Sequence, residues 1–182
     1  MRKLKNEELD RLSVEEFKEQ EKVPITIVLD NVRSLNNVGS AFRTSDAFLI
    51  NKIYLCGITG TPPNREINKT ALGATESVAW EHKEDTLALI KELKEKGQKI
   101  VAVEQAEGST DLPGFMPEKG MHYTLIFGNE VFGVDQKIVE ASDICLEIPQ
   151  HGTKHSLNIS VSIGIVIWDI LNKMDKIKGD NV

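Results

Sequence analysis

The sequence predicts an α/β protein whose mostly parallel sheet is flanked by helices. Short apolar runs typical of buried strands recur along the chain, among them residues 25–29 and 100–103. Between such runs, residues 85–96 place apolar side chains with helical spacing and end before Gly97, a residue type common just after helices. Because strands that alternate with helices favour a parallel sheet covered on its faces, we expect this architecture in one domain of 182 residues.

The composition narrows the class of protein. No apolar stretch is long enough to cross a bilayer, and the segment MRKLKNEELDRL is too charged for a signal peptide, so we expect a soluble cytoplasmic protein. The two cysteines, Cys56 and Cys145, lie in apolar runs without metal-ligand spacing and are expected to be buried reduced thiols. The net charge of −6 argues against nucleic-acid binding over the whole surface, although a few arginines can still form a local phosphate site.

Residues 1–22 are expected to form a short helical N-terminal arm, and residues 23–182 the main domain. The arm is dense in charge, and Ser13 with Glu16 fits a capping box at the start of a helix. We interpret it as one or two short helices that close the surface of the domain, in preference to a dedicated nucleic-acid-binding extension.

The first strand is followed by a polar loop that is a candidate binding segment. In α/β proteins the loop after the carboxyl end of a strand is where ligands meet the fold. We expect a helix over 40–48 with Arg43 near its start, and Gly39 before it allows close packing. The planar groups of Asn31, Arg33, Asn37 and Arg43 suit phosphate and ribose. In the alternative interpretation, Arg43 caps carbonyls and Asn37 closes a turn.

The region after the second strand, 52–56, is expected to be a long mobile loop over 57–77. Its glycines resemble a phosphate-binding loop superficially, but the G-x-x-x-x-G-K-[ST] and G-x-G-x-x-G patterns are both missing. Arg65 and Lys69 would make this loop a substrate-facing one. Further along, residues 78–80 are expected to form a short strand, and 105–120 a polar connector. Two side chains of that connector are expected to anchor it to the core, Phe115 and Met116.

The strand at 123–127 leads into a second candidate loop. Gly128 at its tip allows a backbone to approach a flat ligand such as adenine. Glu130 is either a solvated loop acid or a site carboxylate, and its position between two glycines at a strand end keeps both interpretations open.

The third candidate loop, 150–155, follows the apolar run 144–148 and Pro149, which ends a strand. Residues 159–165 alternate like a strand, but Ser156 or Asn158 as a cap favours a helix. Basic residues that suit a helix C-terminus follow at Lys173, Lys176 and Lys178. Such a helix is apolar almost all round, which predicts burial on several sides, including against a partner chain.

These three loops would lie on one edge of a parallel sheet, so we expect a single site. Their sequences also resemble the three ordered motifs of the SpoU (TrmH-like) RNA 2′-O-ribose methyltransferases of the SPOUT class. The matching segments are NNVGSAFRTSDAF at 36–48, LIFGNEVFGV at 125–134 and IPQHGTKHSLNISVS at 148–162. The resemblance extends over roughly residues 24–174, with Gln150 where methionine is frequent and Ser162 where alanine is common.

The resemblance implies a fold, a cofactor and site residues. It implies a C-terminal trefoil knot whose cleft holds S-adenosyl-L-methionine in a bent conformation, and no metal. The catalytic residues would be Asn37, Arg43, Glu130, Ser156 and Asn158. The cofactor-binding residues would be Ile126, Gly128, Ile148 and Leu157. The substrate-binding candidates are Asn31, Arg33, Arg65 and Lys69.

The resemblance also implies partners and leaves two alternatives. The substrate would be tRNA or rRNA. A homodimer would bring Arg43 near the cofactor of the opposite chain. Because a guanidinium is a very poor base, we expect Arg43 to clamp a phosphate and orient the hydroxyl. The alternatives are an inactive RNA-binding relative and a SPOUT base methyltransferase, and the SLNIS form of the third motif disfavours the latter.

Overall fold

The computed structural model describes residues 1–9 and 11–176. Within them the strands form one seven-stranded sheet in which every neighbouring pair runs parallel. In chain order the strands are β1 Val23–Asp30, β2 Ile50–Cys56, β3 Trp80–Lys83, β4 Lys99–Val103, β5 Thr110–Asp111, β6 Tyr123–Phe127 and β7 Ile144–Glu147. Across the sheet their order is β3-β2-β1-β6-β4-β7-β5. The predicted α/β class is thus confirmed, and the trefoil knot stays a prediction.

Helices cover both faces of this sheet. They are α1 Val14–Glu19, α2 Leu35–Ala47, α3 Arg65–Ala71, α4 Ala74–Ser77, α5 Thr86–Glu95, α6 Gln136–Ala141 and α7 Ile159–Lys173. Short 3-10 turns occupy Asn6–Glu8 and Leu112–Gly114. On β1, Ile27 and Leu29 belong to a core cluster under α2 and α7, whereas Val28 belongs to a cluster under α5 and α6. This alternation follows from the two-residue period of a strand. It explains why β1 reads as a continuous apolar run.

Helix α2 begins earlier than the sequence predicts. The Ser34 hydroxyl accepts a hydrogen bond from the Asn37 amide at 3.3 Å, so Ser34 is the N-cap and Asn37 lies inside the helix. The expectation of Asn37 on a loop and of Arg43 near the helix start was wrong. Gly39 was correctly expected to allow close packing, because a Cβ there would lie 2.2 Å from the Ile67 carbonyl oxygen of α3.

The prediction of a long mobile loop over 57–77 was wrong, because this segment contains α3 and α4. The Asn64 side chain caps α3 by accepting from the Glu66 amide at 2.9 Å, and Ile67 is fully buried. Between the helices the chain turns through left-handed backbone at Leu72 and Gly73, with φ of 50° and 91°. Both helices are short, so their apolar periodicity is too brief to be recognised in the sequence.

Two further boundaries differ from expectation. The short strand is Trp80–Lys83, slightly later than the expected 78–80. In the connector, Phe115 is buried as expected, but Met116 is 70% exposed and anchors nothing. By contrast the helix expected over 85–96 is confirmed as α5, which Asp85 caps by accepting from the Leu87 amide at 2.8 Å.

Residues 159–165 form a helix, as the capping pattern favoured. Asn158 is its N-cap and accepts from the Ser160 amide at 2.9 Å. Within one chain, burial of this helix is one-sided: Ile163 and Ile167 are fully buried, whereas Trp168 is 53% exposed. The expected burial of the other side against a partner chain stays a prediction. Lys178 and the end of the predicted 23–182 domain lie outside the described residues.

The N-terminal arm packs on the domain through Phe17, which is buried in the core cluster under α2 and α7. The predicted capping box is confirmed, since Ser13 and Glu16 each accept the other's backbone amide. Cys56 is buried, and burial raises its pKa to about 12. Cys145 was expected to be buried but is only half-buried. Over residues 1–9 and 11–176, no helix combines the length and apolarity needed to cross a bilayer.

Candidate functional site

A cleft of about 530 Å³ lies at the carboxyl edge of the sheet. The loops that follow β4, β6 and β7 form its walls, and the first turns of α7 close it. This is the edge where parallel α/β sheets bind ligands. The lining residues are Val103, Glu104, Gln105, Phe127, Gly128, Asn129, Glu130, Val131, Phe132, Gly133, Ile148, Gln150, His155, Ser156, Leu157, Asn158, Ile159 and Ser162.

The Glu130 carboxylate joins the loop after β6 to the start of α2. It accepts hydrogen bonds from the Arg33 amide, the Ser34 amide and Asn37 Nδ2, each at 3.0 Å. Burial alone would raise the pKa of Glu130, but the donors, led by the Arg33 amide and the Asn37 side chain, outweigh it and lower the pKa below its ordinary value. Glu130 is therefore an ionised acceptor that already holds three donors. Although it is exposed to solvent, its carboxylate is fixed by these donors, and its role in a site stays a prediction.

Asn37 and Asn158 extend this contact to the third loop. Asn37 is 9% exposed and its Oδ1 accepts from Asn158 Nδ2 at 3.2 Å. The Asn158 Oδ1 in turn accepts from the amide of Ser160, which begins α7. A continuous line of hydrogen bonds therefore runs from Glu130 through Asn37 to Asn158. The three sequence motifs meet in this line.

Most of the predicted cofactor residues line the cleft. Gly128, Ile148 and Leu157 do so, and Ser156 lies beside them. Ile126 does not, because it is fully buried in the cluster under α5 and α6. Its strand position turns its side chain away from the cleft, and its role in cofactor binding stays a prediction.

The structure supplies a backbone reason for glycine at position 128, beside the expected approach of a ligand, which stays a prediction. A Cβ there would lie 2.2 Å from the carbonyl carbon and oxygen of Gly133. The backbones of Asn129 and Gly133 pair at 2.9 and 2.8 Å and close the loop, so the chain itself occupies the space beside Gly128. The protein backbone, independent of any ligand, requires this glycine.

Sequence reasoning missed the contribution of the loop after β4. Glu104 accepts from the Val134 amide and from the Gln105 amide, both at 2.8 Å, and so anchors the far side of the 128–133 loop. Gln105 donates from Nε2 to the His155 carbonyl at 2.8 Å and braces the third loop. The signal available in the sequence was the position of Glu104 at the carboxyl end of a strand.

Arg43 is not at this cleft within one chain. It is exposed on α2 and lines a separate cleft of about 300 Å³ beside α1 and α4, together with Asp46 and Gly73. The structure thus brings together four of the five predicted catalytic residues and leaves Arg43 outside.

The substrate-binding candidates are dispersed. The side chain and carbonyl of Asn31 are used within the chain, accepting from the Ile58 amide at 3.2 Å and from Asn129 Nδ2 at 2.8 Å. Arg33 is exposed beside Glu130, whereas Arg65 and Lys69 are exposed on α3. Asn31 therefore holds two loops together. The three basic side chains are available to a ligand.

The lining of the cleft contains both polar and apolar side chains. Over residues 1–9 and 11–176, no three His, Cys, Asp or Glu side chains are grouped so that they could hold a metal ion. The cleft volume lies within the usual range for small-molecule sites. Polar side chains such as Asn129 and Glu130 and apolar ones such as Leu157 share the lining, and such a mixture can bind and orient a flat heterocycle.

Comparison with known proteins places the chain in a family. A profile of the SpoU rRNA Methylase family matches residues 24–168. The 23S rRNA (guanosine-2′-O-)-methyltransferase RlmB of Neisseria meningitidis serogroup B is 30% identical over 145 residues, 79% of this chain and 56% of that protein. A TrmH-family protein of Staphylococcus saprophyticus is 27% identical over 164 residues, 90% of this chain and 65% of that protein. The chain therefore spans less than two thirds of the length of these relatives.

Solved structures also relate the chain to this family. The crystal structure of the A. aeolicus TrmH/SpoU tRNA modifying enzyme superposes with a TM-score of 0.75 at 26% identity, covering 88% of this chain and 78% of that one. The AdoMet-bound rRNA methyltransferase from Sinorhizobium meliloti superposes with a TM-score of 0.77 at 27% identity, covering 84% and 57%. Since the profile matches most of the sequence and the fold agrees, the chain belongs to the SpoU rRNA methylase family.

Proposed function

We propose that this chain transfers a methyl group from S-adenosyl-L-methionine to a ribose 2′-hydroxyl of tRNA or rRNA in the cytoplasm. The observation that carries the proposal is the hydrogen-bonded line from Glu130 through Asn37 to Asn158 beside the cleft. It joins the three family motifs into one rigid site. The printed activities of the relatives, a guanosine-2′-O-methyltransferase and an AdoMet-bound rRNA methyltransferase, support the same chemistry.

The cleft fits the proposed cofactor. S-adenosylmethionine supplies an electrophilic methyl group on a sulfonium when it is bound. The backbone around Gly128, Ile148 and Leu157 lines the walls and would hold the adenine and ribose. The Glu130 carboxylate also lines the cleft, and its negative charge favours a nearby cation.

The chain's own residues would act by positioning. A ribose hydroxyl is a poor nucleophile at neutral pH, and holding it in line with the methyl carbon can supply about 7 to 11 kcal/mol of the barrier. Asn37 and Asn158 are held at fixed distances and can orient the sugar. Glu130 is already occupied by three donors, so the hydroxyl proton would pass to water or to a phosphate oxygen.

A homodimer would complete this site. Arg43 lies outside the cleft of its own chain, and α7 leaves Val161, Ile165 and Trp168 exposed. Around Ile165 and Trp168 an apolar groove of about 680 Å³ also includes Phe48, which directly follows α2. Burying this surface against a second copy would stabilise a dimer and place Arg43 of one protomer beside the cleft of its partner. There its planar guanidinium would clamp a phosphate next to the target ribose.

The test is to identify the product. Purified protein is incubated with methyl-labelled S-adenosylmethionine and total tRNA and rRNA, the RNA is digested to nucleosides, and each labelled nucleoside is identified by mass spectrometry. We expect the label on ribose, and a heat-denatured sample serves as the control. Label on a base would indicate a base methyltransferase. Failure to bind the cofactor in calorimetry would indicate an inactive RNA-binding relative.

A further inference from the structure

Two large apolar side chains, Val131 and Phe132, project into solvent at the rim of the cleft. Their exposed fractions are 66% and 79%. Aromatic residues are only 5% of the sequence, and an exposed ring is therefore unusual here. Among the described residues the other strongly exposed ring is Trp168, which lies on the groove of α7 and belongs to a different surface. Exposed apolar groups beside a polar site are typical of binding surfaces.

Hydrogen bonds of Asn129 fix the backbone of the loop that carries Phe132. The Asn129 Oδ1 accepts from the Val131 amide at 2.8 Å and from the Phe132 amide at 3.3 Å, while its Nδ2 donates to the Asn31 carbonyl at 2.8 Å. The backbones of Asn129 and Gly133 pair at the base of the loop. The backbone that carries the ring is thus fixed, so little backbone entropy is lost when a ligand covers the ring.

The position of Phe132 indicates which kind of ligand its ring would contact. Phe132 follows Glu130 by two residues, and both line the same cleft. The inner walls at Gly128, Ile148 and Leu157 face the proposed cofactor, whereas a ring that is 79% exposed at the rim faces whatever approaches from solvent. The second substrate of the proposed reaction approaches from there, and single-stranded RNA is commonly bound by stacking its bases on aromatic side chains.

We propose that Phe132, with Val131 beside it, is the platform on which the nucleobase of the target nucleotide stacks. The inference rests on the proposed function, because a base reaches this rim only if the ribose at the site belongs to RNA. Stacking holds the base and leaves the 2′-hydroxyl facing the cleft. Every base has a flat face, so the platform contributes affinity and orientation while base identity is selected elsewhere.

The test compares Phe132→Ala with Phe132→Trp, which keeps an aromatic ring. Met116→Ala is the control, because it removes an exposed apolar side chain that lies outside the cleft. Methyl transfer to bulk tRNA and rRNA gives kcat/KM for RNA, and calorimetry gives the Kd for S-adenosylmethionine. We expect Phe132→Ala to lower kcat/KM for RNA by about tenfold or more, the effect of losing one base stack. Phe132→Trp should retain activity, and the cofactor Kd should be unchanged in all three variants.

Three outcomes would overturn the platform: wild-type RNA kinetics in Phe132→Ala, a weakened cofactor Kd in that variant, or an altered dimer in sedimentation. The first would exclude a base contact, and the others would assign the ring to the cofactor or to the partner protomer. Failure of the proposed function is distinguishable, because the wild-type protein would then transfer no methyl group. In that case the affinity for labelled tRNA is measured by fluorescence anisotropy. Equal affinities of wild type and Phe132→Ala would contradict base stacking on Phe132.

Discussion

Asn158 donates a hydrogen bond from Nδ2 to Oδ1 of Asn37 at 3.2 Å, although the two residues are 121 positions apart in the chain. Asn158 is the N-cap of α7, and Asn37 lies in the first turn of α2. Because Asn37 also donates to Glu130, the two helix starts and the loop after β6 hold one another in position. The Asn37 amide therefore links all three of these segments.

Removing that amide should damage both stability and activity. We expect Asn37→Ala to lose about 1 to 3 kcal/mol of unfolding free energy, because Glu130 and Asn158 each lose a partner. Methyl transfer should fall by about 100-fold as the site groups shift. Urea denaturation and transfer assays measure the two effects. Asn68→Ala, an exposed asparagine on α3, is the control, and equal losses in both variants would contradict a special role for Asn37.

The contribution of Glu130 to stability should depend on pH. Its pKa is lowered in the folded protein, so the stabilisation is present above the unfolded pKa of about 4.3 and is lost as the pH falls through the folded value. We expect the difference in unfolding free energy between wild type and Glu130→Gln to be constant near neutral pH and to shrink below about pH 4.3. A difference that does not change on acidification would exclude an ionised Glu130 as the acceptor.

Gly128 should tolerate no side chain. We expect Gly128→Ala to cost about 1 to 3 kcal/mol, since the new Cβ would collide with the Gly133 backbone and open the loop. Thermal unfolding and cofactor calorimetry measure the change. Gly152→Ala is the matched control: a Cβ there would have open space around it and its stability should be close to wild type. A stable Gly128→Ala protein with normal cofactor affinity would show that the loop can relax.

Arg43 tests whether the site is shared between protomers. Arg43→Ala and Asn158→Ala are each expected to be inactive alone. If Arg43 acts on the opposite chain, random mixing by co-expression should restore about one quarter of wild-type activity, because half the dimers are mixed and each has one intact site. If the two residues serve the same chain, mixing restores nothing. Arg43→Lys tests the planar clamp, and a near-normal rate in that variant would argue against it.

The exposed face of α7 should hold the dimer. We expect Trp168→Glu to yield monomers in sedimentation, because a charge would be buried in the apolar groove. Methyl transfer should fall with the loss of the dimer. Ile58→Glu places the same charge at another side chain that is 66% exposed and should leave the oligomeric state unchanged. A dimeric Trp168→Glu protein would move the interface to another surface.

Strands β1, β2, β4, β6 and β7 were predictable because each is a short, largely apolar run. Strand β5 was not, since it has two exposed polar residues inside the predicted connector. Helices with a local start signal were predictable as well: Ser13, Asp85 and Asn158 each cap a helix through contacts within a few residues. The short α3 and the early start of α2 were not found, because their apolar pattern is brief and their packing through Gly39 is tertiary. Local pattern therefore located most elements and left several boundaries undecided.

By itself, the sequence determined the α/β class and the three polar loops at strand ends, since these follow from local burial and polarity. Only the tertiary structure decided which residues meet. The placement of β6 between β1 and β4 sets Glu130 beside Asn37 and brings Glu104 to the same cleft. Strand order is a long-range choice made by packing, and contacts across it join residues that no local pattern connects.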